Sequence, residues 1–296
     1  MRIILTGATG FIGSHLIPQL LNDSEIKKVL LLIRNVDKLN REYFKNKKVE
    51  ILEIDLLRVN IPRLPKYDVL IHLADIIPSK KDVTNFSDNI RIVENIINSI
   101  ILKKVVKKVI YTSTLDVYGK IIYLPVDEVH PTNPLTFYGI SKLANELLII
   151  RASRNAKISC IILRLSQVYG PNEPLVKVIP LFIKKIKNSE EISLKNKGKI
   201  IRDWVYVKDV VSAIDNALYA NSQGIFNIAT GKGYPLEELI KILGKLANNK
   251  PKIIKEANNN ELRPKIILGI EKAKKLLNYH PTYFLEKGLK DYLENL

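Results

Sequence analysis

The chain has 296 residues, of which 46% are hydrophobic and 26% charged; this excludes a disordered chain and is enough for a large core. Its 47 Lys and Arg against 30 Asp and Glu leave a net charge of +17, and a single cysteine, Cys160, excludes a disulfide framework. The lysines fall in short clusters such as Lys103-Lys104 and Lys274-Lys275 without interleaved aromatics, so the charge reads as a solvated surface, and a nucleic-acid partner is disfavoured.

Arg2 to Leu5 reads as a short buried strand and Ile12 to Leu21 has helical spacing. Val29 to Ile33 is an uninterrupted aliphatic run, the pattern of a strand covered on both faces, and Val49 to Ile54, Val69 to Leu73, Lys108 to Thr112 and Ile158 to Leu163 repeat it. Helical stretches fill the gaps, notably Asn89 to Leu102 and Ser141 to Ala152. Alternating strands and helices predict an α/β fold: a Rossmann-type doubly wound parallel sheet. After Gly170-Pro171 the rhythm changes. Val178 to Ile186 and Leu236 to Ala247 read as amphipathic helices, Glu256 to Glu261 as a loop, and Val207 to Ala220 with Ile225 to Ala229 as a helix and strand returning to the first part.

The expected division is a dinucleotide-binding domain over 1–166, also receiving about 203–229, and a smaller mixed α/β substrate-binding part over 167–202 and 230–296. A strand beginning at Arg2 leaves no room for a signal peptide, and no apolar run reaches membrane-spanning length, so a cytoplasmic protein without a membrane partner is expected. Cys160 lies in an aliphatic run and reads as a buried small hydrophobe rather than a nucleophile. No metal site is expected.

Gly7, Gly10 and Gly13, with Phe11 and Ile12 between the last two, follow a strand and open a helix. Such glycines bring bare backbone beside a pyrophosphate and turn the helix N-terminus towards its charge, so these five residues are expected to bind a dinucleotide. The end of the second strand discriminates between NAD and NADP: a carboxylate there accepts from ribose hydroxyls, whereas an arginine pairs with a 2′-phosphate. This chain has Ile33-Arg34-Asn35 and no acid until Asp37, so Arg34 points towards NADP(H), with a solvated strand-end arginine as the alternative. Asp55, followed by Leu56, is positioned to hold the adenine amine, and Leu73-Ala74 to border the ribose and nicotinamide.

Tyr138 and Lys142 are four apart and share a helix face. A tyrosine titrates near pH 10, too high for a base at neutral pH, but a neighbouring ammonium and a positive nicotinamide ring both favour its phenolate. Tyr138 is therefore expected to move a hydroxyl proton while hydride is exchanged, with Thr114 orienting the same oxygen and Asn89 supporting Lys142 through a water. Both Tyr138 and Lys142 are expected to touch the cofactor.

These motifs resemble the extended short-chain dehydrogenase/reductase family, in its nucleotide-sugar epimerase/dehydratase branch. The resemblance also runs through Tyr111 to Gly119, Leu163 to Pro171, Arg202 to Val207, Phe226 to Gly231 and Leu262-Arg263-Pro264, nearly the whole chain. It implies bound NAD or NADP and a nucleoside-diphosphate sugar, with Arg202 and Arg263 meeting the diphosphate, a suitable use of planar cationic forks. It also implies substrate contacts at Asp116 and Gln167, and a homodimer built on the Asn89 to Leu102 and Ser141 to Ala152 helices.

Departures from the family pattern narrow the reaction. Leu115 stands where sugar 4,6-dehydratases carry the first of an acid pair, leaving only Asp116, and this disfavours dehydration. Gln167 replaces the usual asparagine before the Val-Tyr-Gly turn, and Arg34 the acid typical of NAD-retaining 4-epimerases. The resemblance therefore implies a 4-epimerase of the UDP-glucose/UDP-galactose type working through a transient 4-keto sugar. The alternatives are an NADPH-dependent 4-keto nucleotide-sugar reductase and a non-catalytic, dinucleotide-dependent RNA-binding or regulatory protein.

Overall fold

The aliphatic runs of the first half become the strands of one sheet. In the computed structural model, which describes residues 1–58, 61–76, 86–257 and 263–296, the first six are β1 (Arg2–Thr6), β2 (Lys28–Ile33), β3 (Val49–Glu53), β4 (Val69–His72), β5 (Lys108–Thr114) and β6 (Ser159–Leu165). The smaller strands are β7 (Gln167–Tyr169), β8 (Glu191–Leu194), β9 (Ile201–Tyr206), β10 (Gly224–Ile228), β11 (Gly233–Pro235) and β12 (Lys252–Lys255). The helices are α1 (Phe11–Asn22), α2 (Phe86–Ile96), α3 (Phe137–Ala156), α4 (Val178–Lys187), α5 (Val207–Tyr219), α6 (Leu236–Leu246), α7 (Glu271–Leu277) and α8 (Leu285–Glu294).

The large sheet has seven strands in the order β10-β6-β5-β4-β1-β2-β3, with β3 to β5 paired in parallel. The expected doubly wound α/β fold is what forms. Its chain steps outward from β1 to β3 and then resumes at β4 on the other side of β1. The carboxyl ends of β1 and β4 thus flank a topological switch point, where open α/β sheets leave a crevice. The central strands are buried on both faces, whereas the edge strand β3 is only half-buried, which is why its sequence mixes Glu50 and Glu53 with aliphatics.

The expected helix Asn89 to Leu102 is shorter as an α-helix: after Ile96 the chain widens into a π turn over Ile97–Ile101, where Leu102 N–H reaches back five residues to Ile97 O. Ile100 and Ile101 are both fully buried there.

The chain forms two compact units: 1–119 with 132–164 and 211–226, and 120–131 with 165–210 and 227–296. The core of the first gathers aliphatics from its sheet and from α2 and α3. The second has its own core, in which Tyr169, Trp204, Tyr206 and Tyr292 meet the apolar faces of α4, α6 and α8. It carries a three-stranded sheet, β11-β9-β7, and a parallel pair, β12-β8. Sequence reading sees loops here, because strands of three or four residues are too short to display a period. The expected loop Glu256 to Glu261 runs into 258–262, outside the described residues. Among the described residues, no helix is long and apolar enough to cross a membrane.

Candidate active site

The turn after β1 is built from backbone. Gly7 has φ +73°, and a Cβ on it would stand 2.7 Å from Ala74 N; one on Gly13 would run into Gly7 O. Side chains at these two positions are thus excluded by the left-handed turn and by close approach. Gly10 is the N-cap of α1 and offers no side-chain cap, so the first N–H groups of that helix point to whatever anion lies before them. Thr6 Oγ1 pairs with His72 Nδ1 at 2.6 Å and accepts from Ala74 N–H, tying the ends of β1 and β4 together.

At the switch point lies a cavity of about 450 Å³ lined by the carboxyl ends of four strands: Gly7 to Gly10 after β1, Arg34 and Asn35 after β2, Asp55 to Leu57 after β3, and Leu73 to Ile76 after β4. The expected cofactor residues Gly7, Gly10, Arg34, Asp55, Leu56, Leu73 and Ala74 all line it. Phe11, Ile12 and Gly13 are the first three residues of α1, and the lining stops at Gly10. Arg34 is exposed, with Asn35 and Lys38 sharing its wall. Asp55 Oδ1 accepts from Leu57 N–H at 3.0 Å, and its carboxylate lies 3.6 Å from Arg58.

Tyr138 and Lys142 come from the first turns of α3. Thr136 caps this helix by accepting from Gly139 N–H at 3.0 Å. A Cβ on Gly139 would stand 2.8 Å from Asp116 O, so the glycine lets the start of α3 press against the turn that follows β5. Thr114, at the end of β5, accepts from Asp116 N–H at 3.3 Å, and its own O–H remains a donor. Lys142 is buried: its ammonium donates to Thr112 O at 2.7 Å, lies 4.4 Å from the Tyr111 ring centre, and pairs with Asp75 at 3.2 Å. Tyr138, half-buried, lies one helical turn before Lys142 on α3.

Charge states follow from this packing. Burial, with the Lys142 ammonium, pushes His72 down to about 3, so it stays neutral. Burial pulls Lys142 towards neutrality, but Asp75 and the tyrosines Tyr111 and Tyr138 more than reverse this and hold it charged. Tyr138 differs from the sequence expectation. Lys142 does favour its phenolate, but burial, reinforced by Asp75 and Tyr111, outweighs the ammonium and raises the hydroxyl well above ordinary tyrosine.

The Asn89 side-chain amide is engaged with the backbone of Ile76, accepting from the N–H and donating to the carbonyl, both at 2.8 Å; the residue's own backbone carbonyl accepts from Asn145 Nδ2. Asn89 thereby fixes the cavity wall after β4 and the α2–α3 contact. Sequence reading of the strand end stopped at Ala74 and missed Asp75, although a carboxylate directly after an aliphatic strand of such a sheet was a visible signal.

In the second unit, Gln167 opens β7 opposite Trp204 of β9 and is half-buried. Arg202 Nη1 donates to Arg263 O at 2.8 Å, which brings the two expected diphosphate ligands together despite 61 residues between them. Asp116 belongs to the first unit, half-buried in the turn after β5.

Residues 3–229 match the NAD dependent epimerase/dehydratase family. The chain belongs to that family. A Methanocaldococcus jannaschii protein named "Putative UDP-glucose 4-epimerase" is 32% identical over 97% of this chain and 96% of its own length. Among solved structures, a Thermotoga maritima UDP-glucose 4-epimerase with UDP-glucose is 26% identical and superposes with a TM-score of 0.83, over 100% of this chain and 98% of the other. A Bacillus cereus UDP-glucuronic acid 4-epimerase in complex with UDP-glucuronic acid and NAD is 26% identical, with a TM-score of 0.84 over the same shares.

The residues present fit the dinucleotide the family uses. The cradle is one that Cβ atoms at Gly7 and Gly13 would fill, α1 begins at it without a side-chain cap, and the cavity has polar groups at the ends of β2 and β3.

Proposed function

We propose that this protein is a nucleotide-sugar 4-epimerase. The observation that carries the reading is the Lys142 ammonium, one turn from Tyr138 on α3 and paired at 3.2 Å with Asp75, which lines the dinucleotide cavity. Gly7 and Gly10 would hold the pyrophosphate of a bound dinucleotide against the start of α1, with Asp55 and Leu56 at its adenine end and Leu73 and Ala74 at its nicotinamide end. The chemistry such a cofactor would supply is reversible hydride exchange at carbon four.

The chain's own residues handle the proton and the orientation. Tyr138 takes the carbon-four hydroxyl proton during oxidation and restores it during reduction, while Thr114 hydrogen-bonds the same oxygen. Lys142 favours the phenolate that the first step needs. Arg202 and Arg263 pair with the diphosphate, and Asp116 and Gln167 meet the sugar. Leu115 is buried and carries no acid to expel a carbon-six hydroxyl, so the reading excludes dehydration.

Arg34 on the cavity wall favours a second reading, an NADPH-dependent reductase of a 4-keto nucleotide sugar. The two separate on cofactor accounting. The purified protein, given UDP-glucose or UDP-glucuronic acid without added reductant, is expected to form the 4-epimer with no net change in dinucleotide absorbance. Stoichiometric NADPH consumption with a 4-keto substrate, and no epimer, would replace the first reading by the second. Cofactor choice is tested by Arg34→Asp, which should weaken NADP(H) binding about ten- to a hundredfold and spare NAD(H).

We also infer a homodimer through α2 and α3. Ile140 and Leu147, seven residues apart on one face of α3, are 43% and 62% exposed, and Leu148 beside them 40%. Leu147→Glu should turn a dimer into a monomer by light scattering.

A further inference from the structure

We propose that Asp75 is a positioning residue of this site: it holds the Lys142 ammonium, one helical turn from Tyr138, and so sets the pH at which Tyr138 can take a proton. The inference rests on the reading of Tyr138 as the proton-transfer group. The geometry is an ion pair drawn from two elements, with Asp75 just beyond β4 and the buried Lys142 on α3, one turn from the half-buried Tyr138. The side chains of Lys142 and Asp75 are only 4% and 13% exposed, so the pair is shielded from the screening that makes surface ion pairs weak.

An ammonium beside a tyrosine promotes its ionisation, whereas a carboxylate accepting from the hydroxyl opposes it. Asp75 works against the phenolate in the first respect: its carboxylate, 3.2 Å from the Lys142 ammonium, offsets the charge that would favour ionisation.

Among the described residues, the other groups packed around Asp75, Lys142 and Tyr138 add no second unpaired anion. From the end of β4 comes His72, neutral at working pH. β5 presents the Tyr111 ring, whose hydroxyl burial raises, and the Thr112 carbonyl. α3 adds the Asn145 amide, and α2 the Asn89 amide, engaged with Ile76. Glu146, further along α3, is occupied by Arg164 and Ser113. Asp75 is therefore the carboxylate through which the charge of this site is set, and its remaining exposure is towards the dinucleotide cavity it lines.

The sign of the expected effect follows. In Asp75→Asn the anion is lost and the Lys142 ammonium stays, so the Tyr138 phenolate forms at lower pH. The acidic, ascending limb of the turnover profile should move down by about one to three pH units, the range a neighbouring charge commonly produces. Asp75→Glu, which keeps the charge, should stay near wild type.

The direct readout is the ultraviolet phenolate absorbance of Tyr138, obtained by subtracting the titration of a matched Tyr138→Phe protein. It requires folded protein but no turnover, so it remains decisive even where the epimerase reading fails for want of activity. Active protein whose Asn variant titrates like wild type would overturn the role of Asp75 and leave the function standing. Should the Asn variant not fold, Asp75→Ser, which also removes the charge, gives the same comparison: a Tyr138 phenolate that forms at lower pH than in wild type supports the proposal, and one that forms at the same pH overturns it.

Discussion

The two units bury their charges differently. In the first, buried ionisable groups come as ion pairs: Lys142 with Asp75, and Arg164 with Glu146, whose carboxylate also accepts from Ser113. In the second, buried carboxylates are held by neutral donors. Asp203, fully buried in β9, accepts from Thr230 N–H and O–H, Gly231 N–H and Leu268 N–H, and Asp209 accepts from Thr282 N–H and O–H and Tyr283 N–H.

The difference teaches what each arrangement is suited to. A pair stabilises both charged forms, so it carries a fixed electrostatic environment to a reacting group across the pH range. Burial works against the Arg164 cation, but Glu146 more than compensates and holds it charged. Neutral donors instead staple distant segments, here 203 to 230 and 268, without balancing the charge. Burial then pushes Asp203 up to about 6, against its hydrogen bonds, and Glu173, whose Oε1 is buried without a hydrogen-bond partner, up to about 8. The first unit is thus built to hold charges for chemistry, and the second to lock loops together.

The largest expected effect tests whether proton transfer belongs to the first unit. Tyr138→Phe should lower turnover by roughly two to four orders of magnitude, the usual contribution of a positioned acid or base, while dinucleotide binding by fluorescence titration is retained. Near-normal turnover would remove the chemistry from α3.

Arg164→Ala tests the buried pair itself. It leaves Glu146 as an uncompensated buried charge and should cost about 3–5 kcal/mol in urea unfolding. The double variant Glu146→Gln/Arg164→Met should lose much less; equal losses would mean that packing rather than charge is what Arg164 supplies.

Arg202→Ala brings the comparison to ligand binding. A diphosphate contact in the second unit should appear as about ten- to a hundredfold weaker binding of a nucleoside diphosphate, with the uncharged nucleoside barely affected and kcat changed less than KM. An equal loss for the nucleoside would assign Arg202 to the architecture of β9.

The smallest expected effect is a pH dependence. Glu173 titrates near its ordinary 4.5 in the unfolded chain and at about 8 in the fold. Between these values the folded state binds the extra proton, so its contribution to stability is present at low pH and is lost as pH rises from about 4.5 to about 8. Glu173→Gln should flatten that part of the melting-temperature profile and raise the melting temperature above pH 8 relative to wild type. An unchanged profile would mean that Glu173 is not a lone buried acid.

Much of the first unit was legible in the chain and less of the second. The runs Val29 to Ile33 and Lys108 to Thr112 predict central strands because burial on both faces leaves no polar alternation to confuse the pattern, and both are found in the sheet. β7, β11 and β12 were not legible, since three or four residues carry no period and their pairing comes from partners far along the chain. At the site, Tyr138 and Lys142 were visible as a helical pair, whereas the two bonds of the Asn89 amide to the Ile76 backbone, across 13 residues, left no spacing to read.

What the sequence by itself determined is local. The turn of Gly7 to Gly13, the hydrophobic strands and the shared face of Tyr138 and Lys142 each depend on backbone freedom or periodicity within a few residues. What only the tertiary structure decided is long-range. Asp75 reaches Lys142 because β4 and α3 pack in one unit, Arg202 meets the Arg263 carbonyl across 61 residues, and Asp203 gathers donors from two later segments. Such partners leave no spacing in the chain to read, and the charge state of Tyr138 depends on them: the ammonium four residues away on the helix favours its phenolate, and the carboxylate brought up by the fold, together with burial, keeps its proton in place.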